Sequence, residues 1–201
     1  MIAIIDYGMG NLMSVEKALL ALGFQSVITN NPKEIEKAAM LILPGVGSFG
    51  SAMNNLKKLN LIEPIKSFIR SGRPYLGICL GLQLLFEEST EDGKHKGFGI
   101  LKGKVIKFKF SKEERLSITH MGWNTIEIKK ENTFLNNKPM FYFVHSYFVE
   151  PTDTNIILTT TNYGIEFTSS ILQDNIFATQ FHPEKSGQSG LNILKSFIEQ
   201  N

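Results

Sequence analysis

The chain has one cysteine, Cys79, and it lies in Gly77-Ile78-Cys79-Leu80-Gly81. The apolar run Tyr75–Ile78 precedes it, and Leu80–Phe86 follows with helical character. A G-x-C-x-G pattern between a strand and a helix is the nucleophile elbow, with sulfur in place of a hydroxyl. The turn holds its central residue in strained backbone geometry and pushes the side chain out over the sheet edge. Gly77 and Gly81 are the flanking residues because side chains there would collide across the turn. A helix starting at Leu80 would aim its N-terminal N–H groups at the sulfur and favour thiolate. The rival reading, a buried cysteine acting as a small apolar residue, explains neither glycine.

A sulfur nucleophile needs a base, and the base needs a group to orient it. Of His95, His120, His145 and His182, the last is the candidate, in Gln180-Phe181-His182-Pro183-Glu184-Lys185 after the strand Ile176–Gln180. Pro183 biases His182 toward extended backbone. Residues two apart then share a side, so Glu184 can hold the imidazole. His145 is the runner-up base, but it has no carboxylate nearby in sequence and reads as pocket wall or structure, while His95, between lysines in a Gly-rich loop, reads as solvated. One cysteine and scattered histidines give no metal-ligand spacing, and no metal or cofactor is expected.

A second loop, Leu43-Pro44-Gly45-Val46-Gly47-Ser48-Phe49-Gly50, also follows an apolar strand. Glycines let such a loop turn backbone N–H groups toward a ligand. An oxyanion hole needs two such donors, and the N–H of Leu80 with one from Val46 or Gly47 are the candidates. The alternatives are a plain turn or a phosphate loop, and the latter lacks the Lys-Ser/Thr of a P-loop.

These residues must be positioned by a frame. The first half alternates strands (Ile2–Ile5, Gln25–Thr29, Met40–Leu43, Tyr75–Ile78) with helices over Ser14–Leu22, from Pro32, over Ser51–Leu59 and over Leu61–Ile69. Alternation of this kind predicts a parallel sheet with helices on both faces. The second half is rich in aromatic and β-branched residues. It predicts strands over Lys104–Phe110, Trp123–Ile128, Met140–Val144, Ile156–Thr160, Ile165–Leu172 and Ile176–Gln180, then a helix over Leu191–Ile198. The expectation is an α/β fold: an open, mostly parallel mixed sheet of flavodoxin-like type with an antiparallel β-rich second half, as a single domain over 1–201. Clefts at the carboxyl ends of parallel strands bind ligands in such folds, and both Cys79 and His182 fall at strand ends.

Composition narrows the function classes. Hydrophobic residues make up 42% and the net charge is +2, which suits a packed core and offers no concentrated basic face for nucleic acid. Lys102, Lys104, Lys107 and Lys109 alternate with apolar residues and read as a solvated strand face. A lone cysteine forms no internal disulfide and suits a reducing compartment. No signal peptide or membrane-length apolar segment is read, so a cytoplasmic protein is expected.

At these residues the sequence resembles the class I (triad) glutamine amidotransferases, and more narrowly the glutaminase subunits of imidazole glycerol phosphate synthases. The matching stretches are Asp6–Leu12, Leu43–Phe49, Gly77–Gln83, His120–Asn124, Phe141–Tyr147 and Gln180–Ser186. The resemblance implies that Cys79 attacks the side-chain amide of L-glutamine to form a glutamyl thioester, that His182 relays protons and that Glu184 orients it. It implies that Gly45, Gln83, Glu91 and backbone near Ser146 bind glutamine. Ammonia would pass to a (β/α)8-barrel cyclase subunit in a heterodimer, with Asn11, Trp123, Tyr142 and Lys185 facing that partner. Two departures are noted: Ser146 where Thr is common, and Phe148 where a polar residue is common. The competing readings are a glutaminase for another synthase such as one aminating a cell-surface sugar, a Cys-His hydrolase of peptides or small amides, and a non-catalytic binding subunit.

Overall fold

The computed structural model describes residues 1–111, 113, 115–135 and 139–201. Its first half winds strands and helices alternately: β1 (Ile2–Ile5), α1 (Leu12–Ala21), β2 (Ser26–Thr29), α2 (Pro32–Lys37), β3 (Met40–Gly45), α3 (Phe49–Lys58), α4 (Ile62–Arg70) and β4 (Tyr75–Cys79). One helical turn, α5 (Leu80–Gln83), follows. The second half holds β5 (Phe86–Ser89), β6 (His95–Lys96), β7 (Leu101–Lys107), β8 (His120–Thr125), β9 (Glu127–Ile128), β10 (Met140–His145), β11 (Tyr147–Pro151), β12 (Ile157–Tyr163), β13 (Ile165–Gln173), β14 (Ile176–Thr179) and α6 (Gly187–Glu199).

The main sheet has eight strands in the order β2-β1-β3-β4-β14-β13-β12-β9. From β2 through β14 the pairings are parallel, and from β14 to β9 they are antiparallel. This is the expected open α/β sheet, with the antiparallel strands gathered at one edge. Side-chain alternation divides the core in two. Ala3, Ile5, Leu41 and Leu43 pack with Phe49, Leu56, Ile65 and Phe68 of α3 and α4. Ile2, Ile4, Met40 and Ile42 pack with Val15 and Leu19 of α1 and with Ile193, Leu194 and Phe197 of α6. Every residue of β1, β3 and β4 is buried, as strands covered on both faces must be.

Two smaller sheets sit beside this frame, β10-β8 and β11-β7-β5-β6. Several local expectations change here. The helix expected over Leu80–Phe86 is a single turn, and Phe86–Ser89 is a strand paired in parallel with β7. The reason is tertiary. The carbonyls of Leu84, Leu85 and Phe86 accept from the backbone N–H groups of Phe98, Ile100, Leu101 and Gly99 on the returning chain, and that pairing overrides the local preference of an apolar run. The strand expected over Trp123–Ile128 divides: β8 pairs with β10, and β9 joins the main sheet beside β12. The strand expected from Ile156 starts at Ile157, after a 3-10 turn over Thr154–Ile156 whose Asn155 N–H donates to Asp153. His95, expected in solvent, is half-buried on β6 with its ring against Gly50.

The turn between β4 and α5 is the tightest point of the frame. A Cβ on Gly77 would lie 2.7 Å from the carbonyl oxygen of Gly81, so that glycine is demanded across the turn. A Cβ on Gly81 would lie 1.9 Å from the carbonyl oxygen of Leu43 on β3, so its constraint is the neighbouring strand, which the sequence pattern did not indicate. Gly81→Ala is expected to lower stability by about 3 kcal/mol or fail to fold, since no backbone oxygen can yield that space. Chemical denaturation checks this, and an unchanged midpoint would show that the turn is looser than its contacts imply.

Candidate active site

Cys79 ends β4 with φ +53° and ψ −102°, outside the regions open to ordinary side chains. The dihedrals turn the side chain out of the strand direction, as an elbow requires. The register places Gly45, the last residue of β3, directly opposite Cys79. A cavity of about 430 Å³ opens at these strand ends, and Cys79 lines it together with Val46, Gly47 and Leu80. The thiol is almost covered, at 6% exposure, so access to it runs through this cavity. α5 has only four residues. The thiolate-favouring field expected from a helix is therefore that of one turn of N–H groups at most.

His182 follows β14, the strand next to β4, so the parallel register of those two strands carries its ring toward the sulfur. Its Nδ1 lies 2.8 Å from Glu184 Oε1, and both side chains are 2% exposed. The intervening Pro183 starts a 3-10 turn that brings position 184 back to the ring. Among the described residues, Nε2 has no hydrogen-bond partner and is buried, as is Glu184 Oε2. Burial acts to lower the His182 pKa. The charge and proximity of Cys79, then Glu184, outweigh burial and raise it to about 10. Sulfur and imidazole are thus coupled in charge while no aligned hydrogen bond joins Nε2 to Sγ. Resting sites often show such looseness and tighten on substrate binding.

Most of the remaining expected residues converge on the same cavity. Gln83, Glu91, Ser146 and Lys185 line it. Gln83 donates from Nε2 to Tyr147 O at 2.9 Å and to Gln180 Oε1 at 3.2 Å. Both amide hydrogens are then in use, and any bond to a ligand falls to its Oε1. Glu91 Oε2 accepts from Phe49 N at the start of α3. Burial raises the Glu91 pKa, opposed chiefly by that N–H. Ser146 Oγ bonds Thr119 Oγ1 at 2.8 Å. Gly45 is buried behind the cavity, where a Cβ would lie 2.1 Å from Tyr7 Oη, so the loop requires glycine there. Gly47 has φ +93°, a conformation glycine adopts freely.

Of the residues expected to face a partner, Asn11 and Trp123 are exposed, while Tyr142 and Lys185 are half-buried. Asn11 is exposed and accepts from Ser14 N at the start of α1. Trp123 is 53% exposed and meets Tyr142 edge-on at 6.3 Å. The two are direct cross-strand partners on β8 and β10, so they share a face. By alternation Met121 and Met140 share it too, at 64% and 48% exposure. Lys185 belongs to both the cavity lining and the turn after His182.

His145, expected as pocket wall or structure, and His120, given no role of its own, are both buried on the inner side of β8 and β10. Their protons can be placed by elimination. His145 Nδ1 faces Tyr147 O, an acceptor, so it carries hydrogen. His145 Nε2 then accepts from His120 Nδ1 at 3.0 Å, and His120 Nε2 accepts from Asn124 Nδ2. Both rings are neutral and directionally fixed. Burial lowers the pKa of His120 to about 4 and that of His145 to about 3. Phe148 lies nearby, its ring 4.7 Å from Phe108 and buried.

Sequence reasoning assigned no role to Thr119 or Tyr147, which line the cavity, or to Gln180, which bonds the sulfur. Tyr7 was likewise passed over: its hydroxyl is buried under Gly45 without a partner. The one local signal for Gln180 is its place two positions before His182, and the bend at Gln180 and Phe181, not extended alternation, sets where it points.

Comparisons with known proteins agree with this geometry. The family described as glutamine amidotransferase class-I matches residues 3–201, and the chain belongs to that family. It is 52% identical over 198 residues to the imidazole glycerol phosphate synthase subunit HisH of Aquifex aeolicus (strain VF5), covering 96% of this chain and 94% of that one. It is 50% identical over 202 residues to the protein of the same description from Caldanaerobacter subterraneus subsp. tengcongensis, covering 99% and 98%. Among solved structures, a glutamine amidotransferase superposes with TM-score 0.75 at 16% identity over 98% of this chain and 97% of that one. PurLQS from Thermotoga maritima does so with TM-score 0.74 at 17% identity over 99% and 97%. These two likenesses concern the fold.

The buried histidines make acid stability a test of the site's architecture. Their folded pKa values lie below the ordinary 6.5. As pH falls from 6.5, the unfolded chain takes up protons that the folded chain refuses, so stability is full above 6.5 and is lost toward pH 3. His145→Gln should flatten the dependence of unfolding free energy on pH between pH 4.5 and 6.5 by up to about 1.4 kcal/mol per pH unit. Equal slopes for the two proteins in urea titrations would mean that His145 is not held neutral.

Proposed function

We propose that this chain is the glutaminase subunit of an imidazole glycerol phosphate synthase, acting in histidine biosynthesis, with residues 1–201 forming one amidotransferase unit. The observation that carries the catalytic reading is the convergence of the Cys79 sulfur and the buried His182–Glu184 pair at the carboxyl ends of adjacent parallel strands, beside a cavity of about 430 Å³. About half of all residues are shared with HisH proteins over nearly the full length of both chains, which supports that particular synthase over a cell-surface sugar amination or an independent amide hydrolase.

In the proposed reaction the Cys79 sulfur attacks the side-chain carbonyl carbon of glutamine and an S–C bond forms. The carbonyl oxygen takes the negative charge and is met by backbone N–H groups of Leu80 and of Val46 or Gly47. His182 gives a proton to the amide nitrogen, the C–N bond breaks and ammonia leaves, with a glutamyl thioester remaining on Cys79. Water, deprotonated by His182, then attacks the thioester. Glutamate departs and the sulfur recovers its proton. Glu184 keeps one ring nitrogen of His182 protonated so that Nε2 is the nitrogen that trades protons. In this reading Gly45, Gln83, Glu91 and backbone near Ser146 hold the glutamine head group.

Ammonia made here is useful only if it reaches a second active site. The partner in this reading is a (β/α)8-barrel cyclase subunit, docked on the exposed face of Met121, Trp123, Met140 and Tyr142 with Asn11 and Lys185 near it. An apolar, aromatic surface of this kind beside a cavity suits an interface.

One experiment separates the two claims. With the cyclase present, Cys79→Ala should release no glutamate from glutamine, at least a thousandfold below the parent chain, and should still bind the cyclase. Trp123→Asp should weaken cyclase binding at least tenfold with the triad intact. Glutamate release by Cys79→Ala, or full-strength binding by Trp123→Asp, would remove the corresponding half of the proposal.

A further inference from the structure

A chain of oriented amides ends on the sulfur. Gln180 Nε2 donates to Cys79 Sγ at 3.5 Å, and Gln180 Oε1 accepts from Gln83 Nε2 at 3.2 Å. Gln83 Nε2 also donates to Tyr147 O at 2.9 Å. Tyr147 O is a backbone carbonyl and can only accept, so it fixes which way the Gln83 amide faces. Gln83 in turn fixes Gln180, whose nitrogen is left pointing at the sulfur. The backbone N–H of Gln180 is bonded to Ser169 O, and the residue is fully buried. A buried amide with both ends committed has no freedom to turn its oxygen toward the sulfur.

We propose that Gln180 is a catalytic residue of this site: its Nε2–H donor stabilises the thiolate of Cys79 and aims the sulfur at the cavity. This rests on the reading of Cys79 as nucleophile. A donor to sulfur favours the charged form over the neutral thiol. His182 can supply a proton partner for the sulfur, yet its Nε2 makes no aligned hydrogen bond in the resting site. Gln180 fills that role while the ring stays free for the leaving nitrogen. During acylation the sulfur loses its charge and the Gln180 bond weakens. During thioester hydrolysis the bond forms again and stabilises the departing thiolate.

The test uses the full chain with two substitutions. Gln180→Met keeps the volume and removes the donor. Gln180→Glu keeps an oxygen for Gln83 to bond and puts a carboxylate where the donor was. Cys79 is the chain's one cysteine, so iodoacetamide alkylation followed against pH reads this thiol alone. The alkylation midpoint should move up by about one pH unit in Gln180→Met and further in Gln180→Glu. In complex with the cyclase, the glutaminase kcat of Gln180→Met should fall about tenfold or more with KM little changed. Should Gln180→Met not fold, Gln180→Glu, which matches the wild-type shape, gives the same reading. Folded variants that lose thermal stability but keep the wild-type alkylation profile would reduce Gln180 to a packing residue and overturn the assignment. A wild-type chain that releases no glutamate with its cyclase would instead overturn the nucleophile reading, and the Gln180 role with it.

Discussion

A non-glycine residue at φ +53° and ψ −102° costs on the order of 1–3 kcal/mol and persists only where the surroundings over-determine it. At Cys79 they do. Strand β4 is hydrogen-bonded on both sides, with β3 and β14 as neighbours. Gly81 is pressed against Leu43 O and Gly77 against Gly81 O, so the chain leaving β4 has one route. Everything else in the site follows from that turn. The sulfur leaves the sheet, Leu80 lines the cavity beside it, and the strand next to β4 leads to His182. The strain sits on the reacting residue itself, in a frame whose central strands are entirely buried.

Around that point the site couples charge to burial. The His182–Glu184 pair is enclosed at 2% exposure, where an unpaired imidazolium would be costly. Glu184 and the sulfur together keep the ring's protonated form favourable. Across the cavity His120 and His145 show the opposite arrangement. Their rings are chained nitrogen to nitrogen between Asn124 and Tyr147 O, held neutral, and wedged among Phe108, Phe143 and Phe167. Two kinds of buried histidine thus lie in one region: His182 held toward its protonated form, His120 and His145 held neutral. Phe148 belongs to the same aromatic layer. Its departure from a polar residue is accommodated by packing against Phe108 and Phe167.

How much of this could be read from the sequence depends on how local each constraint is. The elbow was legible because Gly77, Cys79 and Gly81 stand close together in one segment, although the constraint on Gly81 comes from Leu43 O on β3. The His182–Glu184 pairing was legible because both residues lie in one short segment, although the 3-10 turn opened by Pro183, and not extended spacing, brings Glu184 to the ring. The alternation of the first half gave the parallel sheet for the same reason. What was not legible is long-range. An apolar run such as Leu80–Phe86 fits helix or strand equally, and only the returning segment Phe98–Leu101 decides where the helix stops. The division of Trp123–Ile128 between two sheets depends on partners in β10 and β12. Gln180 and Tyr147 acquire their roles through bonds to Gln83, far away in sequence, and nothing in local spacing announces them beyond the nearness of Gln180 to His182. The exposed face of β8 and β10 was half legible: aromatic alternation in β10 predicted a strand, while the exposure of Trp123 and Met121 needed the sheet.

The account stands on a covalent step at one sulfur. The most direct measurement is acid quenching of the cyclase complex during turnover of glutamine, followed by mass spectrometry of the Cys79 peptide. The account predicts a glutamyl adduct on Cys79 that appears with glutamine, decays as glutamate is released and is absent when glutamine is withheld. Steady glutamate release with the Cys79 peptide unmodified at every time point, under quenching that preserves a synthetic thioester, would contradict it.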